Sequence, residues 1–489
     1  MLKSKRQQLH QQIAQVLTDR FPETVETQPE LLGHHYTEAG LKEQAIPYWQ
    51  KAGQRASYRS ANMEAVAHLT KGLELLKSLP DIPEHTQQEL TLQITLGSLL
   101  IATKGYAAPE VEKTYTQALA LCRQVGETSQ LFWVLLGLYR FYLLRPELQT
   151  ARELAEQLLR LAQNMPDPAL LPDAHRALGI VLFHLGELTT ALAHMQQSIA
   201  LYDPQTHRPD QSPLSGQDPK ATGLSYAAWA LWLLGYPDQA RKSSHEALAL
   251  AEGLSHPLSL AFALEFAAVL HQYRREGQQA HEQTEAVITL CTDQGFQYFL
   301  AAGTILQGWA RAEQGQGEEG IAQMHQGMAS FRATGAEAIT SQWLALLAEA
   351  YGKGGQTEEG LNMLAEALAV VDRTGEHYYE AELYRLKGEL TLAQSKVQSL
   401  KSKVTDPRPL TPDPQSEAGA CCLKAIEIAR KQQAKSLELR ATTSLARLWQ
   451  QQGKQKEAHG MLSKIYGWFT EGFDTKDLQE AKALLDELS

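Results

Sequence analysis

The sequence predicts an all-α protein, a right-handed α-solenoid of about ten helix pairs with a 40-residue period. Small residues recur every 40 positions in three runs: Val111, Ala151 and Ala191; Ala240, Ala280, Gly320 and Gly360; and Ala418 and Ala458. Apolar residues near these positions are three or four apart, as on one face of a helix. A fixed period in this range is typical of a solenoid, in which each unit packs only on its neighbours.

The unit around Ala191 shows why the pattern indicates a helical hairpin. Its small and apolar positions are, in order, Leu178, Gly179, Leu182, Gly186, Ala191, Met195 and Ser198, and the same offsets recur around Ala45 and Gly360. Small residues let the two helices approach closely, and the middle glycine gives the backbone the freedom to end the first helix. A lone hairpin cannot offset about 60 kcal/mol of chain entropy by apolar burial, so the units must stack.

These offsets resemble the tetratricopeptide repeat. In its motif a large residue comes first, then Leu, then Gly or Ala, then Tyr, and these are followed by Ala, Phe and Ala. The resemblance covers about residues 29–470. The period exceeds the ~34 residues usual in that family, by nearly one turn in each helix. The resemblance implies tetratricopeptide-like pairs whose first helices line a concave, protein-binding face.

The chain is expected to have three parts. They are an N-terminal helix and junction to a missing upstream module (1–28), the solenoid (29–470, with proline-rich insertions at 203–220 and 395–415) and an acidic capping helix (471–489). The first helix carries Leu9, Ile13, Val16 and Leu17 on one face. An apolar stripe of this kind needs cover, from the first repeat or from a missing domain. An additional helix is predicted at about residues 60–79.

The composition of the chain excludes some classes of binding partner. The net charge of −11 argues against general binding to nucleic acid, which needs a basic surface. The longest apolar runs, 131–139 and 226–236, are much shorter than the ~20 residues of a membrane helix. Four cysteines are too few for a disulfide framework in a chain of 489 residues, which favours the cytoplasm. We therefore expect a protein or peptide partner, no nucleic acid and no membrane.

Three strings carry a more specific resemblance. They are HHYTEAGLKEQAIPYWQKAGQRA at 34–56, RSANMEAVAHLTKGLELLKSLPD at 59–81, and the stretch from AIEIARKQQAKSLELRATTSLARLW to LQEAKALLDEL at 425–488. Together they resemble the C-terminal region of large bacterial multidomain proteins. In that family a class III nucleotide cyclase or a kinase domain precedes an AAA-related signal-transduction ATPase and then tetratricopeptide repeats. The resemblance implies a regulatory or sensor arm, with its own upstream ATPase or cyclase module among the candidate partners.

The chain itself carries no pattern of an enzyme. No G-x-x-x-x-G-K-[ST] phosphate-binding loop occurs, and the motifs H-E-x-x-H, G-x-S-x-G and C-x-x-C are also missing. We therefore predict no catalytic residue, no cofactor and no metal site. His34, His35 and Glu38 share one helical turn, but surface or packing roles are the commoner explanation.

The concave face is the predicted binding site. Transferred from the family, its positions select Arg140, Arg176, Phe183, His184, Trp229, Trp232, Tyr273 and Trp309. Aromatic residues and arginine dominate binding energy in peptide grooves. The alternative is that the longer helices bury these side chains between repeats, because Trp fills a core as readily as it anchors a ligand. Two other functions stay open, a freestanding assembly scaffold and a small-molecule-sensing solenoid like those of some transcriptional regulators.

Overall fold

The structure is a computed structural model that describes residues 3–59, 61–80, 82–126, 130–165, 168–207, 216–401 and 413–489, without side chains at 397–401. Its contacts divide the chain into two compact units. Unit 1 comprises Met1–Phe141, Pro209–Gly216 and Gln294–Phe296, and unit 2 comprises Tyr142–Arg208, Gln217–Asp293 and Gln297–Ser489.

The part of the chain that the structure describes contains helices and no strand. The helices that lie mainly in unit 1 are α1 Lys3–Arg20, α2 Pro22–Thr27, α3 Pro29–Ala39, α4 Lys42–Tyr58, α5 Asn62–Leu76, α6 Pro83–Lys104, α7 Pro109–Val125 and α8 Gln130–Leu144. Those of unit 2 are α9 Leu148–Asn164, α10 Leu171–His184, α11 Leu188–Ala200, α12 Pro219–Leu234, α13 Pro237–Gly253, α14 Pro257–Tyr273, α15 Gly277–Gln294, α16 Gln297–Glu313, α17 Gly317–Ala333, α18 Thr340–Lys353, α19 Thr357–Thr374, α20 Glu380–Lys401, α21 Pro414–Lys431, α22 Lys435–Gln451, α23 Gln455–Tyr466 and α24 Lys476–Leu488.

The predicted ten pairs are confirmed. Each small anchor residue lies on the second helix of a pair and is buried: Ala45, Val111, Ala151, Ala191, Ala240, Ala280, Gly320, Gly360, Ala418 and Ala458. The first helices of neighbouring pairs, such as α12 and α14, also contact each other, whereas the second helices do not do so to a comparable extent. The first helices of unit 2 therefore form its inner layer and the second helices its outer layer.

Close helix approach explains the small residues. A Cβ atom on Gly308 of α16 would lie 2.6 Å from the carbonyl oxygen of Gly320 on α17, so only glycine fits. The predicted role of the turn glycines is also confirmed: Gly186 and Gly355 have φ angles of 80° and 76°, in the left-handed region. Such a residue ends the first helix of its pair.

The ends of the chain and the two predicted insertions contain the following elements. Helix α1 buries Ala14, but Leu9 and Val16 of its predicted apolar stripe remain 44% and 47% exposed. Helix α5 matches the predicted additional helix. At the other end, α24 packs Leu478 and Leu484 on the preceding pair and carries acidic residues elsewhere. Helix α20 continues to Lys401, into the segment predicted as an insertion; residues 208–215 and 402–412 of the two insertions lie outside the described residues.

Candidate functional site

Unit 2 makes contacts between pairs that are five apart along the chain. The carbonyl oxygen of Leu144, at the end of α8, accepts a hydrogen bond from the backbone of Glu337, before α18 (2.8 Å). His184 ends α10, and its carbonyl oxygen accepts one from the backbone of His377, before α20 (2.9 Å). The carbonyl oxygen of Trp232 accepts one from the hydroxyl of Ser436 on α22 (2.5 Å). We call this set of contacts, together with the contact of Arg275, which follows α14, with Asp477 on α24 (3.3 Å), the seam.

The residues that the sequence selects for a groove are buried in the structure. All eight predicted residues are at most 5% exposed: Arg140, Arg176, Phe183, His184, Trp229, Trp232, Tyr273 and Trp309. These side chains are therefore packed inside the protein, as in the alternative interpretation. Direct contact between these side chains and a partner stays a prediction, and the described conformation does not expose them.

Five of the eight form one aromatic network. Phe183, Trp229, Tyr273 and Trp232 are linked in that order by ring-centroid distances of 6.1, 5.8 and 4.7 Å, and His184 lies 5.8 Å from Phe183. The guanidinium of Arg440 lies 4.8 Å from the ring of Trp232. Helix α22, which carries Arg440, therefore packs against this network.

The other three predicted residues lie apart from that network. Arg176 pairs with Asp173 at 2.5 Å on its own helix. The indole nitrogen of Trp309 donates to Glu349 at 3.2 Å. Arg140 belongs to unit 1, where its guanidinium lies within 4 Å of the position that a Cβ on Gly216 would take.

The buried side chain of Glu376 links three segments of the seam. Glu376 accepts hydrogen bonds from the backbone of Ile339 (2.9 Å) and from the hydroxyl of Ser341 (3.1 Å), and it lies 2.8 Å from Nδ1 of His184. Ile339 has a φ angle of 60°, which is a strained conformation for a β-branched residue. Arg275 and Gln433, at φ 61° and 59°, also lie beside the seam. Each such residue costs about 1–3 kcal/mol, so the surrounding contacts must fix the backbone there.

One part of the inner layer remains open, as a charged cavity of about 300 Å³. Its basic lining residues are Arg275, Lys353, Arg385, Arg440 and Arg447. Its acidic lining residues are Glu349, Glu382, Glu389, Asp477 and Glu480. The lining therefore carries equal numbers of basic and acidic side chains. All of them belong to unit 2 and come from the first helices α18, α20 and α22, from α24 and from the residues that follow α14.

Ion pairs fix the inner wall of the cavity. Arg440 bridges Asp477 (2.7 Å) and Glu382 (3.3 Å), and Arg385 pairs with Glu382 (2.8 Å) and Glu389 (2.7 Å). Burial alone would raise the pKa of Glu382, but the guanidiniums of Arg385 and Arg440 outweigh it and lower that pKa to about 2. Glu382 is therefore ionised at neutral pH.

The rim of the cavity is more open. Arg447 is 45% exposed in its side chain and pairs only with Glu480 (3.0 Å) among the described residues. Burial would raise the pKa of Glu480, but Arg447 and Arg275 lower it. Gln272 also lines the cavity, and its Oε1 atom is buried and has no hydrogen-bond partner in the described structure. A buried acceptor without a donor is destabilising.

Sequence reasoning missed this cavity, although a signal existed. On α20, Glu382, Arg385 and Glu389 are three and four residues apart, which places both signs of charge on one face. Arg440 and Arg447 are likewise seven apart on α22. Such charges on a first helix, which belongs to the inner layer, differ from the apolar pattern of α12 and α14.

The histidine cluster at the N-terminus gains a member in the structure. Nδ1 of His10 on α1 lies 2.8 Å from Nδ1 of His35 on α3, and the ring of His34 is 5.4 Å from that of His35. Burial, together with the charges of His10 and His34, lowers the pKa of His35. Among the described residues, no group of three His, Cys, Asp or Glu side chains is arranged to hold a metal ion. Within the same residues, no helix is both long and apolar enough to cross a membrane.

The sequence comparisons identify a longer relative. No protein-family model matches the chain. The chain is 24% identical over 451 residues to a protein of Rhizobium meliloti (strain 1021) that is itself called uncharacterized. This match covers 92% of the chain and 42% of the relative, so the chain spans about two fifths of the relative's length.

Two solved structures resemble the fold. A Rap protein complexed with Competence and Sporulation Factor has a TM-score of 0.55 at 10% identity, covering 80% of this chain and 99% of that one. The Cut9–Hcn1 hetero-tetramer of the APC/C gives 0.52 at 11% identity, covering 98% of this chain and 86% of that one. At these identities the likeness shows the fold, and the chain is an α-solenoid of tetratricopeptide type.

Proposed function

We propose that the chain is a protein-binding scaffold that serves as the regulatory or sensor arm of a bacterial signalling system. In this system an ATPase or nucleotide cyclase module, on the same or on another chain, carries out the chemistry. The partner is a peptide or a protein domain that docks on the inner layer of unit 2. The observation that carries the proposal is the charged cavity, because it leaves part of that layer open beside the closed seam.

The chemistry of the cavity suits recognition by docking. Rim residues such as Arg447 keep charged groups near solvent, and arginine is enriched among residues that dominate binding energy. Inner residues such as Arg440 and Glu382 are held by several ion pairs, so the wall is preorganised. A partner therefore meets a rigid surface and orders few side chains when it binds.

The comparisons add support without naming the partner. Both similar structures are stacks of helix pairs that were solved with another component, Competence and Sporulation Factor in one and Hcn1 in the other. More than half of the Rhizobium relative lies outside the match, which leaves room for a catalytic module in that protein.

A photo-crosslinking residue placed at position 447 tests the proposal in cells of the source organism. The matched control carries the same residue at Lys242, on α13, whose side chain is highly exposed. We expect position 447 to capture an ATPase or cyclase component of a signalling system and position 242 to capture none. Equal capture at both positions, or capture of none at 447, would refute the proposed docking site.

The aromatic residues remain a second route to the same function. Docking near Trp229, Trp232 and Trp309 requires unit 2 to open along the seam, and it would then change the curvature of the stack. Replacing Trp229 and Trp232 with Ala tests this route. Unchanged partner capture by a folded double variant would remove the aromatic groove from consideration.

A small-molecule sensor is a second candidate function, and the cavity itself favours it. A volume of about 300 Å³ is at the lower end of the range for small-molecule sites. Thermal-shift screening with sugars, nucleotides and peptides separates the candidates, because stabilisation by a sugar or a nucleotide supports the sensor, whereas stabilisation by a peptide alone supports the docking site.

A further inference from the structure

The last contact of the seam is built largely from ion pairs. Four acidic residues recur at intervals of three in the sequence, and we call them the acidic strip: Glu471, Asp474, Asp477 and Glu480. The first two precede α24 and the other two lie on it. Each carboxylate contacts the first turn of α13 or an arginine that follows α14. The strip therefore joins α24 to a segment about 200 residues earlier in the chain.

Glu471 binds the N-terminus of α13. Its Oε1 atom accepts hydrogen bonds from the backbone amides of Asp238 (2.9 Å) and Gln239 (3.1 Å). In return, Oδ2 of Asp238 accepts one from the amide of Gly472 (3.1 Å). The first amides of a helix have no partner within that helix, and a negative charge beside them interacts favourably with the helix dipole. A carboxylate from a distant part of the chain thus completes this end of α13.

Two arginines after α14 contact the rest of the strip. Arg274 lies 3.4 Å from Asp474, and Arg275 lies 3.3 Å from Asp477 and 2.8 Å from Glu480. We call the basic residues that meet the strip, together with the first turn of α13, the basic surface: Arg241, Arg274 and Arg275. A segment with carboxylates at intervals of three is complementary to this surface, because each carboxylate meets an arginine or a backbone donor.

Helix α24 is attached to the rest of unit 2 in two different ways. Its leucines, among them Leu478 and Leu484, pack into an apolar cluster with Leu462 of α23. Apolar burial therefore holds α24 on its own pair, whereas charge holds it on the basic surface. Partly exposed ion pairs each contribute little and are screened by salt, so the attachment to the basic surface is the weaker of the two.

The strip also supports the cover over the aromatic network. Asp477 pairs with Arg440 of α22 as well as with Arg275. Arg440 in turn lies over the ring of Trp232 and donates to the carbonyl oxygen of Tyr273. Removal of the strip therefore takes away an anion that holds Arg440 in this position, above two of the residues that the sequence selects for a groove.

We propose that the acidic strip is an autoinhibitory latch that occupies, within its own chain, a docking surface for an acidic segment of a partner protein. Displacement of the strip frees α22 from Trp232 and exposes this part of the inner layer. The inference rests on the proposed function in one respect, that a protein partner docks on unit 2. It adds the charge of the partner segment and the contact that this segment replaces.

Hydrogen exchange of the full chain tests the latch at a distance from the mutated groups. The double variant Asp477→Asn/Glu480→Gln neutralises the two carboxylates on α24 and leaves Glu471 unchanged. If the strip leaves the basic surface as one piece, the amides of Asp238 and Gln239, which Glu471 accepts, lose their protection, and we expect their exchange to accelerate at least tenfold. Unchanged exchange at these two amides would overturn the inference.

The chain offers a matched control and a second measurement. Asp486→Asn removes a carboxylate of α24 that pairs with Lys482 of the same helix, and it should leave the exchange unchanged. If the double variant fails to fold, the parent chain still gives the answer. Raising NaCl from about 0.05 M to about 1 M screens the ion pairs and should accelerate exchange at the same two amides relative to those in the first turn of α17. No relative acceleration would count against the latch.

Fluorescence anisotropy of a labelled peptide of residues 469–482 tests the docking surface. The double variant should bind this peptide at least tenfold more tightly than the parent, because the strip of the parent competes for the surface. A peptide with amides in place of the four carboxylates should not bind, and adding Arg275→Gln to the double variant should abolish binding. Equal affinity of parent and double variant, or equal binding of the acidic and the neutral peptide, would refute the docking surface.

The two proposals fail separately. Latch opening and peptide binding without crosslinking of a signalling component at position 447 refute the proposed docking there and leave the latch standing. Crosslinking at position 447 with unchanged exchange and no peptide binding refutes the latch alone.

Discussion

A buried carboxyl group on α14 makes the stability of unit 2 depend on pH. Glu265 is 1% exposed, and its Oε1 atom has no hydrogen-bond partner in the described structure. Burial raises the pKa of Glu265 from its usual 4.5 to about 8. The folded chain therefore keeps this proton up to about pH 8, whereas the unfolded chain loses it near pH 4.5. Unfolding releases the proton between these values, so Glu265 lowers the stability progressively as pH rises.

The size of the effect follows from the two pKa values. Each unit of difference is worth about 1.4 kcal/mol. Between pH 5 and pH 8 the penalty of keeping Glu265 protonated in the fold grows by about 3 kcal/mol. Glu265→Gln is neutral at every pH and has nearly the same shape. The variant should therefore gain about 3 kcal/mol relative to the parent when the pH is raised from 5 to 8.

Urea denaturation at the two pH values measures this gain. Six of the eight tryptophans belong to unit 2, so indole fluorescence reports mainly on the unfolding of that unit. Glu252→Gln, on the exposed face of α13, is the matched control and should show no pH-dependent difference from the parent. A Glu265→Gln variant whose stability relative to the parent is the same at pH 5 and pH 8 would refute the reasoning.

Three further substitutions test the packing. Gly320→Ala would press its Cβ against the Gly308 carbonyl oxygen and should lower the stability by about 1–3 kcal/mol. The control Gly317→Ala, on the same helix, meets open space and should be neutral or slightly stabilising. Equal melting temperatures of the two variants would contradict the close approach of the helices. Trp232→Ala should cost about 3–5 kcal/mol in urea denaturation, and no loss would show that the seam does not bury this ring. Glu376→Ala leaves the Ile339 amide unpaired, so hydrogen exchange at that amide should accelerate; unchanged exchange would count against this seam contact.

The repeat architecture was predictable because it rests on local rules. Spacings of three and four, small residues at fixed offsets and turn glycines specify one helical hairpin, and repetition every 40 residues specifies a stack. Each rule acts within one helix pair or between neighbouring pairs. The buried anchors Ala191 and Gly320 and the left-handed conformation of Gly186 confirm this. Nothing in these rules requires knowledge of residues far apart in the chain.

The candidate site was less predictable for the same reason. Family offsets selected Trp232 and Tyr273 on the first helices α12 and α14, and the structure buries both side chains. The sequence pattern gives the face of a helix on which a residue lies. It does not show whether a helix from a distant part of the chain covers that face. Arg440 approaches Trp232 across more than 200 residues, and no local spacing encodes this contact.

The sequence alone determined the helical hairpins, their number and their stacking, since these follow from contacts between residues close in the chain. Only the tertiary structure decided that unit 2 closes on itself through Glu376 and Arg440, and that a charged cavity stays open beside the closure. The physical reason is that small changes of angle between successive pairs add up along a stack. Their sum fixes which distant helices meet, and no single repeat contains that information.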